Sequence, residues 1–414
     1  MHDIHTLPIS YSLCFIATSN NCFKNNRQTQ LHPKITTQFL TTKQPVFGNF
    51  VRRPKRELLF VRMTETSNHH SSTGHTTAQS EQPCEMKVFR LIHWTDVHFH
   101  VLQLPTLLPT WKQLLGLAHL YVKGRRHDFR AAELVPTMVS QIDTLQPDLC
   151  IFSGDLTGLG LPAEFEIAKS ILSPMLEKYP NIMIAGNHDR YTKNSEYLME
   201  QYFGEYMKGG DVWENGKWKV TQETPWPRVY DAGFGLKVIA LDQARPSKWS
   251  FGENSAPQLE RLEMLLERLD SSRCIVVGHY PVLNIDGSIS DSFGRSLKDV
   301  HELYQVFCRQ PPLAYLCGHD HEHYMQSVLM NGRMVRFLCC GSTSYLGNKP
   351  QKKAGFYEVK MGMAMDNPID DTNEWKVLSV TRYEWNSNHR QFECLDGPPI
   401  LYRPNPYWVI AHNG

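Results

Sequence analysis

Short apolar runs alternate with amphipathic segments along most of this chain, and this alternation is the feature that most restricts its fold. From residue 86 onward the apolar runs are typical of buried β-strands, and the longer segments between them place apolar side chains at helical spacing. Strands that alternate with helices in this way form α/β domains, in which helices cover a β-sheet. The chain is therefore predicted to be an α/β protein.

The periodicity also places the predicted elements along the chain. Strands are predicted at residues 87–94, 149–153, 181–185, 236–241, 274–277 and 313–317, and helices at 129–145, 162–176, 257–269 and 297–308. Beyond residue 317 the pattern is that of strands alone, at 324–330, 333–339, 356–361 and 375–385. Asn331 and Gly332 separate the first two of these, and an Asn-Gly pair between strands indicates a tight hairpin.

Residues 1–85 differ from the rest of the chain, because they are rich in Thr, Ser, Asn, Gln and His and have no sustained apolar periodicity. We predict a mostly disordered arm here. Three interpretations of it stay open: an organelle transit peptide, a basic patch at residues 52–56 for a nuclear or anionic surface, and an over-extended start before Met63 or Met86. The predicted domain covers the remainder, with core motifs at 96–321, a β-rich part at 324–385 and a tail at 386–414, all within residues 86–414.

Charge, cysteine content and hydropathy restrict the partners and the compartment of the protein. Lys and Arg number 43 against 42 Asp and Glu, and the basic excess lies in residues 1–85, so the predicted domain is mildly acidic and no nucleic-acid partner is expected. The 10 cysteines form no Cys-x-x-Cys pair, which is typical of thiols in a reducing compartment. No apolar run reaches the length of a membrane-spanning helix. We expect a cytoplasmic protein, or an organelle protein if the arm is a targeting signal; the oligomeric state stays open.

Polar residues follow five of the predicted strands at the point where each strand ends. In α/β sheets, ligands bind outside the carboxyl ends of the strands. Glycine precedes the polar residue in four of the five cases, which lets the backbone turn sharply and a ligand approach closely. We therefore expect one crevice to receive the side chains of Asp96, His98, Asp155, Asn187, His188, Asp189, His279, His319 and His321.

This set of donors predicts a metal site. Carboxylate, amide and imidazole groups without cysteine favour Mn, Fe, Zn or Mg over thiolate-bound zinc or an iron-sulfur cluster. A single histidine or Gly-Asp after a strand is more often a structural residue or a turn, but five such strand ends together are hard to explain as turns. The donors exceed one tetrahedral shell, and two metals about 3.5 to 4 Å apart that share a carboxylate would use them. We expect two divalent metal ions as cofactors.

Five short motifs of this chain resemble, in the same order, the five blocks of the calcineurin-like metallophosphoesterase superfamily: Asp96-x-His98, Gly154-Asp155, Gly186-Asn187-His188-Asp189, Gly278-His279 and Gly318-His319-x-His321. The resemblance covers about residues 86–345. It implies a distorted four-layer sandwich, in which two mixed β-sheets pack together with helices outside. The second and third motifs are more similar to class III cyclic-nucleotide phosphodiesterases than to the protein phosphatases, which continue Gly-Asp with Asp-Arg-Gly and use Gly-Asn-His-Glu.

The resemblance also implies a role for each site residue. Asp155 would bridge the two metal ions, His188 would be the acid that protonates the leaving group, and Asp189 would orient it. The remaining six would divide between the ions, with Asp96, His98 and His321 on the first and Asn187, His279 and His319 on the second.

The predicted function is metal-dependent hydrolysis of a small phosphate ester, with a phosphodiester such as a cyclic nucleotide as the favoured substrate. Two divalent ions would bind the phosphoryl oxygens and activate a water molecule, and His188 would protonate the departing oxygen. The alternatives on the same core are a phosphomonoesterase and a lipid or nucleotide pyrophosphohydrolase. A nuclease would need a basic channel, and a non-catalytic scaffold with this fold usually lacks ligands, so both fit the sequence less well.

An apolar segment at residues 102–129 separates the first motif from the first long helix. It leaves the predicted sheet directly after His98, so it begins beside the metal site. Lys123, Arg125 and Arg126 follow its apolar part. Two interpretations fit the sequence equally well: a lid with a basic rim over the site, and an insert packed on the domain itself. Docking on a membrane surface is a third.

Overall fold

A computed structural model describes residues 86–101, 111–121, 124–221, 225–364 and 375–395 of the chain. The predicted arm at residues 1–85, the first part of the insert at 102–110 and residues 396–414 of the predicted tail lie outside the described residues. Everything below concerns the described part.

The described residues contain fourteen strands and seven α-helices. The strands are β1 (Met86–Trp94), β2 (Leu149–Phe152), β3 (Asn181–Met183), β4 (Val212–Glu214), β5 (Lys217–Lys219), β6 (Arg228–Gly233), β7 (Leu236–Ala240), β8 (Cys274–Val277), β9 (Ala314–Cys317), β10 (Tyr324–Met330), β11 (Arg333–Cys339), β12 (Gly355–Ala364), β13 (Trp375–Asn386) and β14 (Gln391–Cys394). The helices are α1 (Trp111–Tyr121), α2 (Arg125–Asp128), α3 (Ala131–Leu145), α4 (Pro162–Lys178), α5 (Leu198–Phe203), α6 (Ala256–Arg268) and α7 (Val300–Arg309).

Twelve of these strands form two large mixed sheets. The first sheet has the order β14-β13-β12-β1-β2-β3, and its β1, β2 and β3 are parallel. The second sheet has the order β10-β11-β9-β8-β7-β6, and its β7, β8, β9 and β11 are parallel. The carboxyl ends of the parallel strands therefore share one edge in each sheet, and the predicted site residues follow these ends.

The cores explain how the layers stack. Leu91 of β1 lies in a core shared with Val238 of the second sheet, while Ile92, the next residue, packs against α3 and α4 on the other face of its own sheet. Successive side chains of a strand point to opposite faces, so one strand serves both cores. Helices α6 and α7 cover the outer face of the second sheet, with Leu303 in that core. The four-layer α/β sandwich that the resemblance implied is confirmed.

The predicted strands and long helices are present, with ends shifted by a few residues. The structure adds the β4–β5 hairpin, β6 and β14, which the sequence pattern does not predict. Strand β14 pairs with β13, so Gln391–Cys394 extends the first sheet into the range predicted as a tail. The apolar pattern of β14 is weak because Phe392 is the one buried residue of this strand. Within the described ranges, every helix is too short or too polar to cross a membrane.

Candidate metal centre

Loops from both sheets bring the predicted ligands together. Asp96 and His98 follow β1, and His321 follows β9; the Nε2 atoms of the two histidines are 3.0 Å apart, and Nε2 of His321 is 3.2 Å from Oδ1 of Asp96. On the other side of the centre, Nε2 of His279, after β8, lies 3.2 Å from Oδ1 of Asn187, after β3. Side chains that are distant in sequence therefore converge through their nitrogen and oxygen atoms.

Asp155 lies between these two groups. Its Oδ2 is 3.8 Å from Nε2 of His98, and its Oδ1 is 3.5 Å from Nε2 of His279. Each oxygen of this carboxylate thus faces a different imidazole. Two sets of closely spaced donor atoms, each able to hold a metal ion, share this residue: Asp96, His98, Asp155 and His321 form one, and Asp155, His279 and His319 form the other.

The hydrogen bonding of these side chains fits bound cations. Within the described part of the chain, Oδ1 of Asp96 and both ring nitrogens of His319 are buried and have no hydrogen-bond partner. Leaving buried polar atoms unsatisfied costs about 1 to 3 kcal/mol each, so such atoms need an explanation. A divalent cation would supply the missing partner, and oxygen and imidazole donors suit Mn, Fe, Zn or Mg.

Five of the predicted ligands have left-handed backbone conformations. Their φ angles are 52° at Asp96, 53° at His98, 61° at Asp155, 73° at His319 and 60° at His321. A residue other than glycine pays for this conformation, although Asp, Asn and His tolerate it better than most. Such conformations persist where the surroundings impose them, and they cluster at functional sites. The backbone is therefore bent at the positions that aim ligands into the crevice.

Two of the predicted glycines are required by close approach. A Cβ atom on Gly186 would lie 2.2 Å from Oδ1 of Asp155, and one on Gly318 would lie 2.3 Å from Oδ2 of Asp96. Both distances are far shorter than a van der Waals contact. The glycines let the loops after β3 and β9 pass directly beside these carboxylates.

Burial and mutual interaction shift the pKa values of the central groups in opposite directions. Burial alone would raise the pKa of Asp155, but His279, His188 and His98 nearby hold that pKa well below its ordinary value. Burial disfavours protonated His279, yet the Asp155 carboxylate outweighs this and raises its pKa to about 9. The pKa of His319 is well below its ordinary value, mainly through burial. An ionised Asp155 and a neutral His319 are the protonation states that bind cations, and a bound cation would displace the proton that Asp155 stabilises on His279.

The ring of His188 is held by three contacts next to this centre. Nδ1 lies 2.7 Å from the carbonyl oxygen of Gly158. The ring meets that of His98 edge to face at 4.7 Å and stacks on that of Tyr191 at 5.5 Å. The backbone N–H of His188 donates to Oδ1 of Asp155 at 2.7 Å. Because a carbonyl oxygen only accepts, Nδ1 carries a proton, and proton exchange is left to Nε2.

The carboxylate of Asp189, for which the resemblance implied a role in orienting His188, contacts backbone, and the partner of His188 Nδ1 is the Gly158 oxygen. The buried Asp189 carboxylate accepts from the backbone N–H groups of Leu156, Thr157 and Gly186 at 3.2, 2.9 and 2.9 Å. Burial, with the Asp155 charge second, raises the pKa of Asp189 to about 6. The carboxylate thereby ties the loop after β2 to the loop after β3, so it acts on His188 through the backbone.

Two residues next to the ligands are missing from the sequence prediction. Oε1 of Gln243 accepts from the backbone N–H groups of His279 and Tyr280 at 2.9 and 3.2 Å and so fixes the loop after β8. Gln243 follows β7, so the rule of polar residues at strand ends would have found it. Phe129 packs against the rings of His98 and His321 at 4.5 and 5.2 Å. No sequence signal distinguishes it from an ordinary core residue.

Three consecutive hydroxyl groups hold the loop that carries the first ligands. Each belongs to a buried residue and donates to a carbonyl oxygen of the segment that contains Asp96. The pairs are Ser342 with Asp96 at 2.6 Å, Thr343 with Thr95 at 3.0 Å and Ser344 with Val97 at 2.5 Å. The strained loop after β1 is therefore fixed from the segment that follows β11.

Comparison with known proteins agrees with this geometry. The family model described as calcineurin-like phosphoesterase matches residues 89–323, which is more than half of the chain. The chain belongs to the calcineurin-like phosphoesterase family. Accordingly it is a metal-dependent hydrolase of phosphate esters, and the resemblance found in the five motifs is confirmed.

Individual known proteins are similar to this chain over part of its length. A probable cyclic nucleotide phosphodiesterase of Synechococcus is 29% identical over 217 residues, which are 52% of this chain and 72% of that protein. A probable glycerophosphodiester phosphodiesterase GpdQ of Arcobacter nitrofigilis is 30% identical over 237 residues, 56% of this chain and 74% of that protein. A crystal structure of a dimetal phosphatase from Danio rerio aligns with a TM-score of 0.48 at 12% identity, over 72% of this chain and 95% of that one.

Proposed function

We propose that this enzyme hydrolyses phosphodiesters with two divalent metal ions and with His188 as the general acid. The observation that carries the proposal is the position of Asp155, whose two carboxylate oxygens face imidazoles of two different donor sets. A carboxylate placed in this way would serve as a ligand to both cations. Asp96, His98 and His321 would complete the first site, and Asn187, His279 and His319 the second.

The bound ions would polarise the phosphoryl oxygens of the substrate and activate a water molecule. The chain's own groups prepare the site for this chemistry. Asn187 offers a neutral carbonyl oxygen, which leaves more positive charge at the centre for an anionic phosphate than a carboxylate would. Burial of Asp96 and Asp155 lowers the local dielectric, and this strengthens the attraction between the centre and the anion.

His188 is placed to serve the leaving group. Its Nδ1–H donates to Gly158, so the proton that can move lies on Nε2 of the imidazolium. As the P–O bond to the alcohol breaks, the bonding electron pair stays on the departing oxygen, and that oxygen takes the Nε2 proton. General acid catalysis of this kind contributes about 10² to 10⁴ in rate.

We infer that exposed aromatic residues of the loops after β7 and β8 form a rim of the centre and favour a diester with a planar group, such as a cyclic nucleotide. The loops after β7 and β8 are joined by a hydrogen bond from Ser250 N–H to the Gly294 oxygen at 3.0 Å. They carry two aromatic residues, Trp249 and Phe293, which are 60% and 92% exposed with ring centroids 6.2 Å apart. Exposed rings of this size offer a stacking surface. Arg295, the second residue after Phe293, contributes to the lowered pKa of His319, after the larger effects of burial, His279 and His321, so its positive charge acts on that ligand.

Turnover of a panel of esters tests the proposal. With the metal-loaded enzyme we expect kcat/KM for bis(para-nitrophenyl) phosphate and for cyclic AMP to exceed that for para-nitrophenyl phosphate by about ten-fold or more. Preference for the monoester would identify a phosphomonoesterase. If a glycerophosphodiester is the best substrate, the proposed phosphodiesterase activity stands, but the proposed role of the aromatic rim is refuted.

Substitution of His188 tests its proposed role as the general acid. His188→Ala should retain bound metal and lose about 10² or more in kcat for diphenyl phosphate, whose phenol is a poor leaving group. It should lose much less for bis(para-nitrophenyl) phosphate, because nitrophenolate departs without a proton. Equal losses on the two esters would show that His188 is not the acid.

A further inference from the structure

Helix α1 of the insert packs on the residues that hold His188. Lys112, at the start of the helix, donates from Nζ to the carbonyl oxygens of Tyr191 and Ser247 at 2.7 and 2.5 Å. The same ammonium lies 4.0 Å from the centroid of the Tyr191 ring. Tyr191 in turn stacks on the imidazole of His188. One side chain of the insert therefore fixes both the backbone and the ring of the residue beside His188.

The next turn of α1 contacts the other support of His188, the loop that provides the Gly158 oxygen. Leu117 packs in a small apolar cluster with Leu159, Leu161 and Tyr191, separate from the main cores. A Cβ atom on Gly116 would lie 2.4 Å from Leu159 Cδ2 and 2.8 Å from Tyr191 Oη. The helix thus approaches this loop and Tyr191 as closely as its backbone permits.

We infer that α1 is the element that orients His188, with Lys112 as a positioning residue that acts through Tyr191. This inference rests on the proposed role of His188 as the acid. Helix α1 is then part of the catalytic apparatus: it packs on the domain, and what it packs on is the support of the acid.

The cost of burying Lys112 agrees with a defined role for its ammonium. Burial lowers the pKa of Lys112 to about 8, although the Asp155 charge opposes this. A lysine on a surface helix can extend into water at no such cost, and Leu114 and Leu115 of the same helix are exposed. The chain instead directs this ammonium inward, where it donates to two carbonyl oxygens. Charged donors of this kind form stronger hydrogen bonds than neutral ones.

The orientation matters because proton transfer requires geometry. Nε2 of His188 must point at the departing oxygen within hydrogen-bond distance when the P–O bond breaks. If Tyr191 moves, the imidazole loses its stacking partner, and the Gly158 hydrogen bond and the edge-to-face contact with His98 then hold the ring less firmly. A small displacement then removes much of the benefit of the acid.

The test compares Lys112→Met with Leu115→Ala, an exposed position on the same helix. Lys112→Met keeps the alkyl stem and removes the donors. We expect it to lower kcat for diphenyl phosphate about ten-fold and kcat for bis(para-nitrophenyl) phosphate less than two-fold, with unchanged metal content. Lys112→Arg should restore part of the loss, and Leu115→Ala should behave as the parent enzyme. Equal losses on both esters, or a lower Tm with unchanged kinetics, would overturn the inference and leave α1 a structural element.

A second variant and a double-mutant cycle keep the test decisive if Lys112→Met fails to fold. Gly116→Ala forces the helix away from Leu159 and Tyr191 and should show the same selective loss on diphenyl phosphate; an equal loss on both esters would overturn the inference. In the His188→Ala background, Gly116→Ala should have no further effect on kcat, because the acid is gone. Independent, additive losses would contradict the coupling. If His188→Ala itself shows no dependence on the leaving group, the proposed function fails; if it does and the α1 variants do not, only this inference fails.

Discussion

At the scale of single residues, the ligands are distinguished by their backbone as much as by their side chains. Asp96, His98, Asp155, His319 and His321 all have left-handed conformations, which a chain avoids unless its surroundings impose them. Asp and His are among the residue types that tolerate positive φ and are also good cation donors. Six other non-glycine residues of the described part, such as Gln146 and Phe234, also have positive φ, so the conformation accompanies the ligands but does not by itself mark the site.

The shared position of Asp155 predicts an asymmetric effect of ligand substitutions. Asp155→Asn removes the charge between both donor sets, so both ions should bind at least about ten-fold more weakly, and kcat should fall about 10² or more. Asn187→Ala touches one set and should weaken one ion only. Metal titrations followed by calorimetry and elemental analysis measure both. A protein with Asp155→Asn that keeps two tightly bound ions would contradict the bridging role.

Glu164 predicts a pH dependence of stability. It accepts from the backbone N–H groups of Leu159 and Leu161 at 2.9 and 3.1 Å, and burial raises its pKa to about 8. Because the folded pKa lies above the unfolded one, the contribution of Glu164 is fully present below about pH 4.5 and is lost as pH rises through 8. Relative to Glu164→Gln, the free energy of unfolding should fall by up to about 1.4 kcal/mol per pH unit in that window.

Urea unfolding of the two proteins at several pH values measures this difference. Glu166→Gln, a change at an exposed position of the same helix, is the matched control and should follow the parent protein. A parent protein and Glu164→Gln variant with parallel curves across the window would show that Glu164 ionises normally.

At the scale of secondary-structure elements, the sequence predicts the strands and helices that have a clear apolar pattern. Strands β8 and β9 are uniformly apolar and are predicted nearly to the residue, because every residue of both strands is buried. Strand β14 and the β4–β5 hairpin were missed, since they are short and bury few side chains. The polar strand ends predict the ligands, but the hydrogen-bond partners of those ligands come from distant segments. Ser342, Thr343 and Ser344 look like an ordinary loop until the fold brings them against the segment after β1.

The segment 342–344, whose hydroxyl groups hold the loop after β1, predicts a loss of affinity at one metal site. Ser342→Ala removes the 2.6 Å hydrogen bond to the carbonyl oxygen of Asp96 and frees a strained loop. We expect about a ten-fold weaker affinity for the first ion, held with Asp96, His98 and His321, and little change in the second. Ser140→Ala, at an exposed position of α3, is the control. Equal weakening of both ions would indicate a general loss of structure in place of a local one.

At the scale of the whole molecule, the site exists because two sheets meet. The first sheet supplies Asp96, His98, Asp155 and Asn187, and the second supplies His279, His319 and His321. Periodicity predicts an α/β domain but does not say that its strands divide into two sheets; the four-layer arrangement came from the resemblance of the motifs. Which strands pair is decided by contacts between distant segments, such as β1 with β12, and local sequence carries no record of these.

Because the ligands come from both sheets, metal binding should stabilise the packing of the whole domain. A ligand that binds only the folded state adds about 2.7 kcal/mol at a hundred times its dissociation constant. We therefore expect a chelator to lower the Tm by several degrees and added Mn²⁺ or Zn²⁺ to restore it. Asp155→Asn should lose most of this response, whereas His188→Ala should keep it, because His188 donates to Gly158 and is not placed as a ligand. Differential scanning calorimetry of the three proteins, with and without chelator, measures the shifts. A Tm of the parent protein that ignores both chelator and metal would mean that the two sheets are held together without the ions.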